Sequence, residues 1–114
     1  AGRLDLVDGA PNFLSGVVVV ECAAGSFLQN LLAWGAGSGV PTPNTTFTAS
    51  EGGGWAFVGS SPETGSWSGT ILPRVDGSLS GTLDFTSPPT SRCPGTTKAY
   101  EFRGSRAFGF EAAP

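Results

Sequence analysis

The stretch Ser66-Trp67-Ser68-Gly69-Thr70-Ile71, the turn Val75-Asp76-Gly77-Ser78 and the run Leu79-Ser80-Gly81-Thr82-Leu83-Asp84-Phe85 decide the fold class. Trp67, Gly69 and Ile71 fall in one phase of a two-residue period, with Ser66, Ser68 and Thr70 in the other. Past the turn, Leu79, Gly81, Leu83 and Phe85 alternate with Ser80, Thr82 and Asp84. Successive side chains of a strand point to opposite faces, so each run reads as a half-buried strand. The Asp-Gly turn joins them as an antiparallel hairpin. Pro73 has no amide to donate, which predicts an edge or a bulge in the first of the two strands.

The same reading extends outward. Leu4, Leu6 and Val7 make a short strand stopped by Asp8-Gly9. Leu14 to Cys22 is a central strand, and Val17 to Val20 place β-branched side chains on both of its faces, which predicts cover on both sides. Residues 46–49 and 55–58 are strands flanking Gly52-Gly53-Gly54. Lys98 to Arg103 and Arg106 to Glu111 form a closing hairpin, with Tyr100, Phe102, Phe108 and Phe110 facing inward. Residues 35–45 and 86–97 are long loops. In Ser26 to Trp34, Phe27, Leu28, Leu31 and Leu32 recur at helical spacing between a capping Ser26 and a terminating Gly35, and the reading favours a short helix over an irregular strand. The expectation is one all-β domain over residues 1–114, an antiparallel β-sandwich or small β-barrel of about eight short strands, with one short helix near 26–34.

Composition bounds the function. Gly, Pro, Ser and Thr make up 51 of the 114 residues, yet the chain carries eight Phe, three Trp and one Tyr, unlike a disordered segment. A net charge of −3 and a pI near 4.6 argue against a nucleic-acid partner. No apolar run approaches the ~18 residues of a membrane span. Two Cys in a small, charge-poor chain predict a Cys22–Cys93 disulfide and a secreted or cell-surface protein. The polar opening Ala1-Gly2-Arg3 is unlike a targeting segment and fits equally a mature chain whose leader has been removed and a trimmed one. Asn44-Thr45-Thr46 matches the N-glycosylation sequon.

Gly16 to Ala24, with Trp34 twelve positions and Cys93 seventy-one positions after Cys22, resembles the Cys–Trp–Cys core of immunoglobulin variable domains. The chain departs from that family at Ser91, where a Tyr is expected, and at Ser87-Pro88-Pro89, where the family has an Asp-x-Ala-x-Tyr corner. No binding loop is carried across from it.

The chain has no His, so Ser–His catalysis cannot be written and the commonest metal ligand is missing. Two Cys without His fall short of a zinc site, and no metal or other cofactor is expected. The only sketchable active site pairs Asp84 with Glu101 beside Trp67. The residues instead point to a non-enzymatic binding domain with a carbohydrate or protein partner. Its contact residues are taken as Trp34, Trp55, Arg92 and Tyr100, three aromatics and a cation of the kind that anchors partners. Three alternatives stand beside this reading. The stiff loop Pro88-Pro89-Thr90-Ser91-Arg92-Cys93-Pro94 suits a protease inhibitor presenting Arg92. A hollow barrel would carry a small apolar ligand. Polar strand faces suit a structural subunit.

Overall fold

The structure, a computed structural model, describes residues 2–7, 10–76, 78–104 and 107–112. Its strands are β1 (Gly2–Val7), β2 (Ala10–Cys22), β3 (Gly25–Trp34), β4 (Thr45–Ala49), β5 (Trp55–Ser61), β6 (Gly65–Pro73), β7 (Leu79–Thr86), β8 (Thr97–Gly104) and β9 (Ala107–Ala112). The molecule is all-β and antiparallel, as the alternation predicts. Its helical content among the described residues is one 3-10 turn at Ala36–Ser38.

The strands form one sheet in the order β3-β2-β1-β9-β8-β7-β6-β5-β4. Every pair but β1–β9 joins strands consecutive in the chain, so this is a meander whose first and last strands pair. It lacks the crossovers of the immunoglobulin sandwich that the Cys–Trp–Cys spacing resembles. A two-stranded ribbon, β2–β3, and a five-stranded array, β4 to β8, face each other across a single core. The core holds Leu14, Val18 and Val20 of β2, Leu31 and Ala33 of β3, Phe57, Trp67, Ile71, Leu83, Phe85 and Tyr100. Chains of buried aliphatic and aromatic groups of this kind supply most of the stability of a small domain.

The deciding hairpin has the expected register. Trp67 pairs with Phe85, Gly69 with Leu83 and Ile71 with Gly81. Trp67, Ile71, Leu83 and Phe85 are buried, while Ser66, Thr70, Thr82 and Asp84 are exposed. Asp76 Oδ1 accepts from the Ser78 amide (2.9 Å) and hydroxyl (2.6 Å), the local bonding that favours Asp in turns. Pro73 lies at a local edge, as expected: it is the last residue of β6, paired with Leu79 of β7, while the β5 ladder stops at Ile71, so its missing amide breaks no pair.

The helix expected near 26–34 is instead strand β3. Cys22 pairs with Gly25 and Phe13 with Trp34, so Ala23-Ala24 is a two-residue hairpin turn. Ten residues cannot offset helix nucleation alone. As a strand they place Leu31 and Ala33 in the core, with Phe27 packed against it. The cover expected on both faces of β2 is present on one face only: Val18 and Val20 are buried, Val17 and Val19 are exposed. The β8–β9 hairpin pairs Phe102 with Phe110, but the side chains of Phe102, Phe108 and Phe110 lie outside what is described, as do Asp8, Gly77 and Arg106.

The sheet's two ends, β3 and β4, are consecutive in the chain and do not pair. Asn44 joins them. Its Oδ1 accepts from the Trp34 amide at 2.8 Å, its Nδ2 donates to the Leu32 carbonyl at 3.0 Å, and its amide donates to the Trp34 carbonyl at 3.0 Å. Its own carbonyl accepts from Ser60 of β5 at 3.1 Å. Cys22–Cys93 ties the ribbon to the β7–β8 loop across 71 positions.

Candidate functional site

The β2–β3 ribbon is apolar in both phases of its alternation. One phase fills the core. The other presents Val17 (37% exposed), Val19 (42%), Leu28 (71%) and Leu32 (47%) to the outside. Val19 lies directly opposite Leu28, with Val17 opposite Asn30 and Ser15 opposite Leu32, so the four aliphatics share one outer surface. Exposed aliphatics are ordinary when scattered and informative when contiguous.

The backbone beside this surface is open. Cys22 and Gly25 close the tight hairpin as a bonded pair, so the odd-numbered residues of β3 bond β2 and the even-numbered ones point away. Leu32 and Trp34 spend these outward groups on Asn44. Ser26, Leu28 and Asn30 point theirs outward at the end of the sheet. Among the described residues, the one such group with a partner is the Asn30 carbonyl, which accepts from Gln29 Nε2 at 3.3 Å.

On the opposite edge of β2, β1 pairs residues 10–15, and beyond it the Val19 carbonyl is taken by Tyr100. Tyr100 is buried, and its hydroxyl donates to the Val19 carbonyl. Lys98 Nζ meets Glu21 Oε2 at 3.2 Å beside it. Burial, and then the nearby Glu21 carboxylate, hold the Tyr100 phenol above its ordinary pKa. β3 itself, Gly25-Ser26-Phe27-Leu28-Gln29-Asn30-Leu31-Leu32-Ala33-Trp34, has no charged side chain.

The residues taken from sequence as contacts fall in different places. Arg92 flanks the start of β3, with its guanidinium 5.7 Å from the centroid of the Phe27 ring. Together with Cys22, Ala24, Gly25, Ser26 and Phe27 it lines a cleft of about 170 Å³. Trp34 flanks the far end, half-buried, its Nε1 bonded to the Thr42 carbonyl at 2.7 Å. Tyr100 lies behind the ribbon as a structural prop and presents no surface. Trp55 sits on another part of the sheet, between Ala49 and Ile71. Asp84 and Glu101 are exposed and Trp67 is buried against the core; Asp84 and Trp67 line one cleft of about 190 Å³, of which Glu101 is not a lining residue. The 88–94 loop folds into two successive turns, Ser91 amide to Pro88 carbonyl and Thr96 amide to Cys93 carbonyl.

A second cleft, of about 350 Å³, lies between the β5–β6 turn and the start of the β7–β8 loop. Hydroxyls of Ser60, Ser61, Ser66 and Thr86 line it with the rings of Pro62 and Pro88. Ser87, which also lines it, is buried, and its Oγ has no hydrogen-bond partner among the described residues.

The sequence reading missed Leu28, Leu32, Val17 and Val19. Their signal was present as apolar residues in both phases, which was read as a covered strand and a helix. Compared with protein-family models, curated proteins and solved structures, the chain has no significant match.

Proposed function

We propose that this protein is a secreted, non-enzymatic binding module that takes a protein partner on the outer face and free edge of the β2–β3 ribbon. The observation that carries this reading is the placement of four exposed aliphatic side chains beside a strand edge with unused amides and carbonyls. Such an edge accepts an added strand, whose main chain supplies affinity while its side chains meet the apolar surface. The disulfide is consistent with an extracellular setting. The experiment is site-specific photocrosslinking in the native medium, with the photoreactive residue at position 28 and, as control, at Val58 on β5, an exposed aliphatic outside the ribbon. Cross-linked protein at 28 and not at 58 is the expected result. Equal yields, or none at 28, would remove the reading.

A carbohydrate partner is favoured by one separate observation, the hydroxyl-lined cleft with the unpartnered Ser87 Oγ. Its neutral lining suits an uncharged sugar. A glycan array probed with the wild type and with Ser61→Ala tests it, and signal unaffected by the substitution would count against it. The inhibitor and carrier alternatives find less support. Arg92 rests over Phe27, and the core is occupied by side chains.

A further inference from the structure

We infer that the protein partner of this face is a second copy of the chain, paired antiparallel through β3 about a two-fold axis at Leu28. The inference rests on the binding reading above and adds the identity of the occupant.

The free edge is bounded on both sides. It begins at Gly25, after the hairpin turn, and ends at Leu31, before the carbonyl of Leu32 that Asn44 occupies. Leu28 is the midpoint of that interval. A two-fold axis there sets Leu28 against Leu28 of the second copy, and Ser26 against its Asn30. The outward amides and carbonyls of Ser26, Leu28 and Asn30 then meet the same groups of the other copy, and the whole free edge is used with none left over. The Asn30 carbonyl exchanges its Gln29 cap for the Ser26 amide of the second copy. A register centred elsewhere leaves part of one edge unpaired or collides with Asn44.

Side chains agree with this register. The outward phase of β3 places Leu28 beside its own equivalent at the axis, and Val19 of each copy lies directly behind it. The outer faces thereby merge into one apolar surface, Val19-Leu28-Leu28-Val19. Self-association also needs an interface without like-charge contact, since identical strands bring identical charges together. β3 has no charge, and the nearest carboxylate, Glu21, is held by Lys98. Natural edge strands are commonly protected by Lys, Pro or a bulge. β3 carries none of these over Gly25–Trp34.

The area sets the strength. Edge-to-edge pairing brings the two Leu28 side chains together and leaves Val17, Val19 and Leu32 on the outer face, so it buries less than the ~800 Å² per partner of a standard interface. The dimer is therefore concentration-dependent rather than obligate.

Sedimentation velocity over a wide concentration series, with the intact oxidised protein, tests the inference. The expected result is a rise toward twice the 11.5 kDa chain mass, with Leu28→Lys weakening association by roughly tenfold or more because two ammonium groups meet at the axis. Leu28 is exposed, so at concentrations where both are monomeric this variant should keep the wild-type melting temperature, which verifies its fold. L28C supplies the geometric check. Paired residues of a bonded antiparallel pair lie about 5.5 Å apart at Cα, within disulfide range. Mild oxidation of L28C should therefore give a covalent dimer, and V58C should not. A dimer that survives Leu28→Lys, or that L28C fails to trap, overturns the proposed register. A monomer at every concentration overturns the second copy as partner. In that case a foreign protein cross-linked at position 28 keeps the face as a binding site, and no cross-link at all removes both readings.

Discussion

Trp67 donates its indole N–H to Thr45 Oγ1 at 3.0 Å, and the Thr45 hydroxyl donates in turn to Asn44 Oδ1 at 2.9 Å. The same Oδ1 receives the Trp34 amide, so one relay runs from the core of β6 to the end of β3. Thr45→Val keeps the shape and strands a buried indole N–H. It should cost about 1–3 kcal/mol in a denaturant titration, more than a surface Thr→Val change such as Thr48→Val. Asn44→Ala removes the acceptor and the donor together and should cost about 2–3 kcal/mol, with faster hydrogen exchange at Trp34. The sequon made Asn44 legible in the sequence, but for a different reason: its amide is spent on the Leu32 carbonyl. Nothing in a sequence of turn-forming residues distinguishes an Asn that bridges two strands from one in solvent. Tyr100 gives a pH signature. Its folded pKa lies above the ordinary 10.0, so the neutral phenol is favoured by folding. The stability this contributes is complete below pH 10 and is lost as pH rises through the raised value. Tyr100 is the only tyrosine, so the tyrosinate absorbance band reports it alone and should appear above pH 10. Tyr100→Phe should flatten the alkaline loss while costing about 1 kcal/mol at neutral pH.

At the scale of elements, the β6–β7 hairpin was the most legible part of the chain. Strict alternation across an Asp-Gly turn has one geometric solution, and the structure adopts it. Gly69 shows what that solution requires. It faces the core opposite Leu83, and a methyl group there would meet the Phe57 ring at 2.8 Å and press on the Thr82 backbone. Gly69→Ala should lower the melting temperature by several degrees, an overpacking cost of about 1–3 kcal/mol. β3 was the least legible element. Phe27-Leu28 and Leu31-Leu32 satisfy a helical stripe, yet the same residues satisfy a strand that is apolar on both sides. Periodicity cannot separate the two when the polar half of the pattern is missing. What decided it was β2, whose long Val-rich run supplies ten cross-strand partners for β3. Leu28 and Leu32, which satisfy both patterns, lie on the outer surface.

Over the whole molecule, the fold is a meander whose non-ladder ties include the Asn44 bridge and the Cys22–Cys93 disulfide. The disulfide was predicted from the count and class of the chain, and it forms; the bridge was not. Reduction should cost about 4 kcal/mol in the chain-entropy picture, given a loop of 71 positions, and should be visible as a lower denaturation midpoint on adding a thiol reductant. The same crosslink also decides how the molecule carries mechanical load. Tension applied at the two ends of the chain runs into Cys22 from one side and into Cys93 from the other, then crosses directly between the sulfurs. Strands β3 to β7 lie inside the bypassed loop and bear none of it. With the disulfide intact, the 71 positions it spans cannot be drawn out, and reduction releases roughly 250 Å of extension. A protein tethered by its ends in a flowing or shearing medium would peel at β1 and β9, while the deciding hairpin and most of the core stay folded.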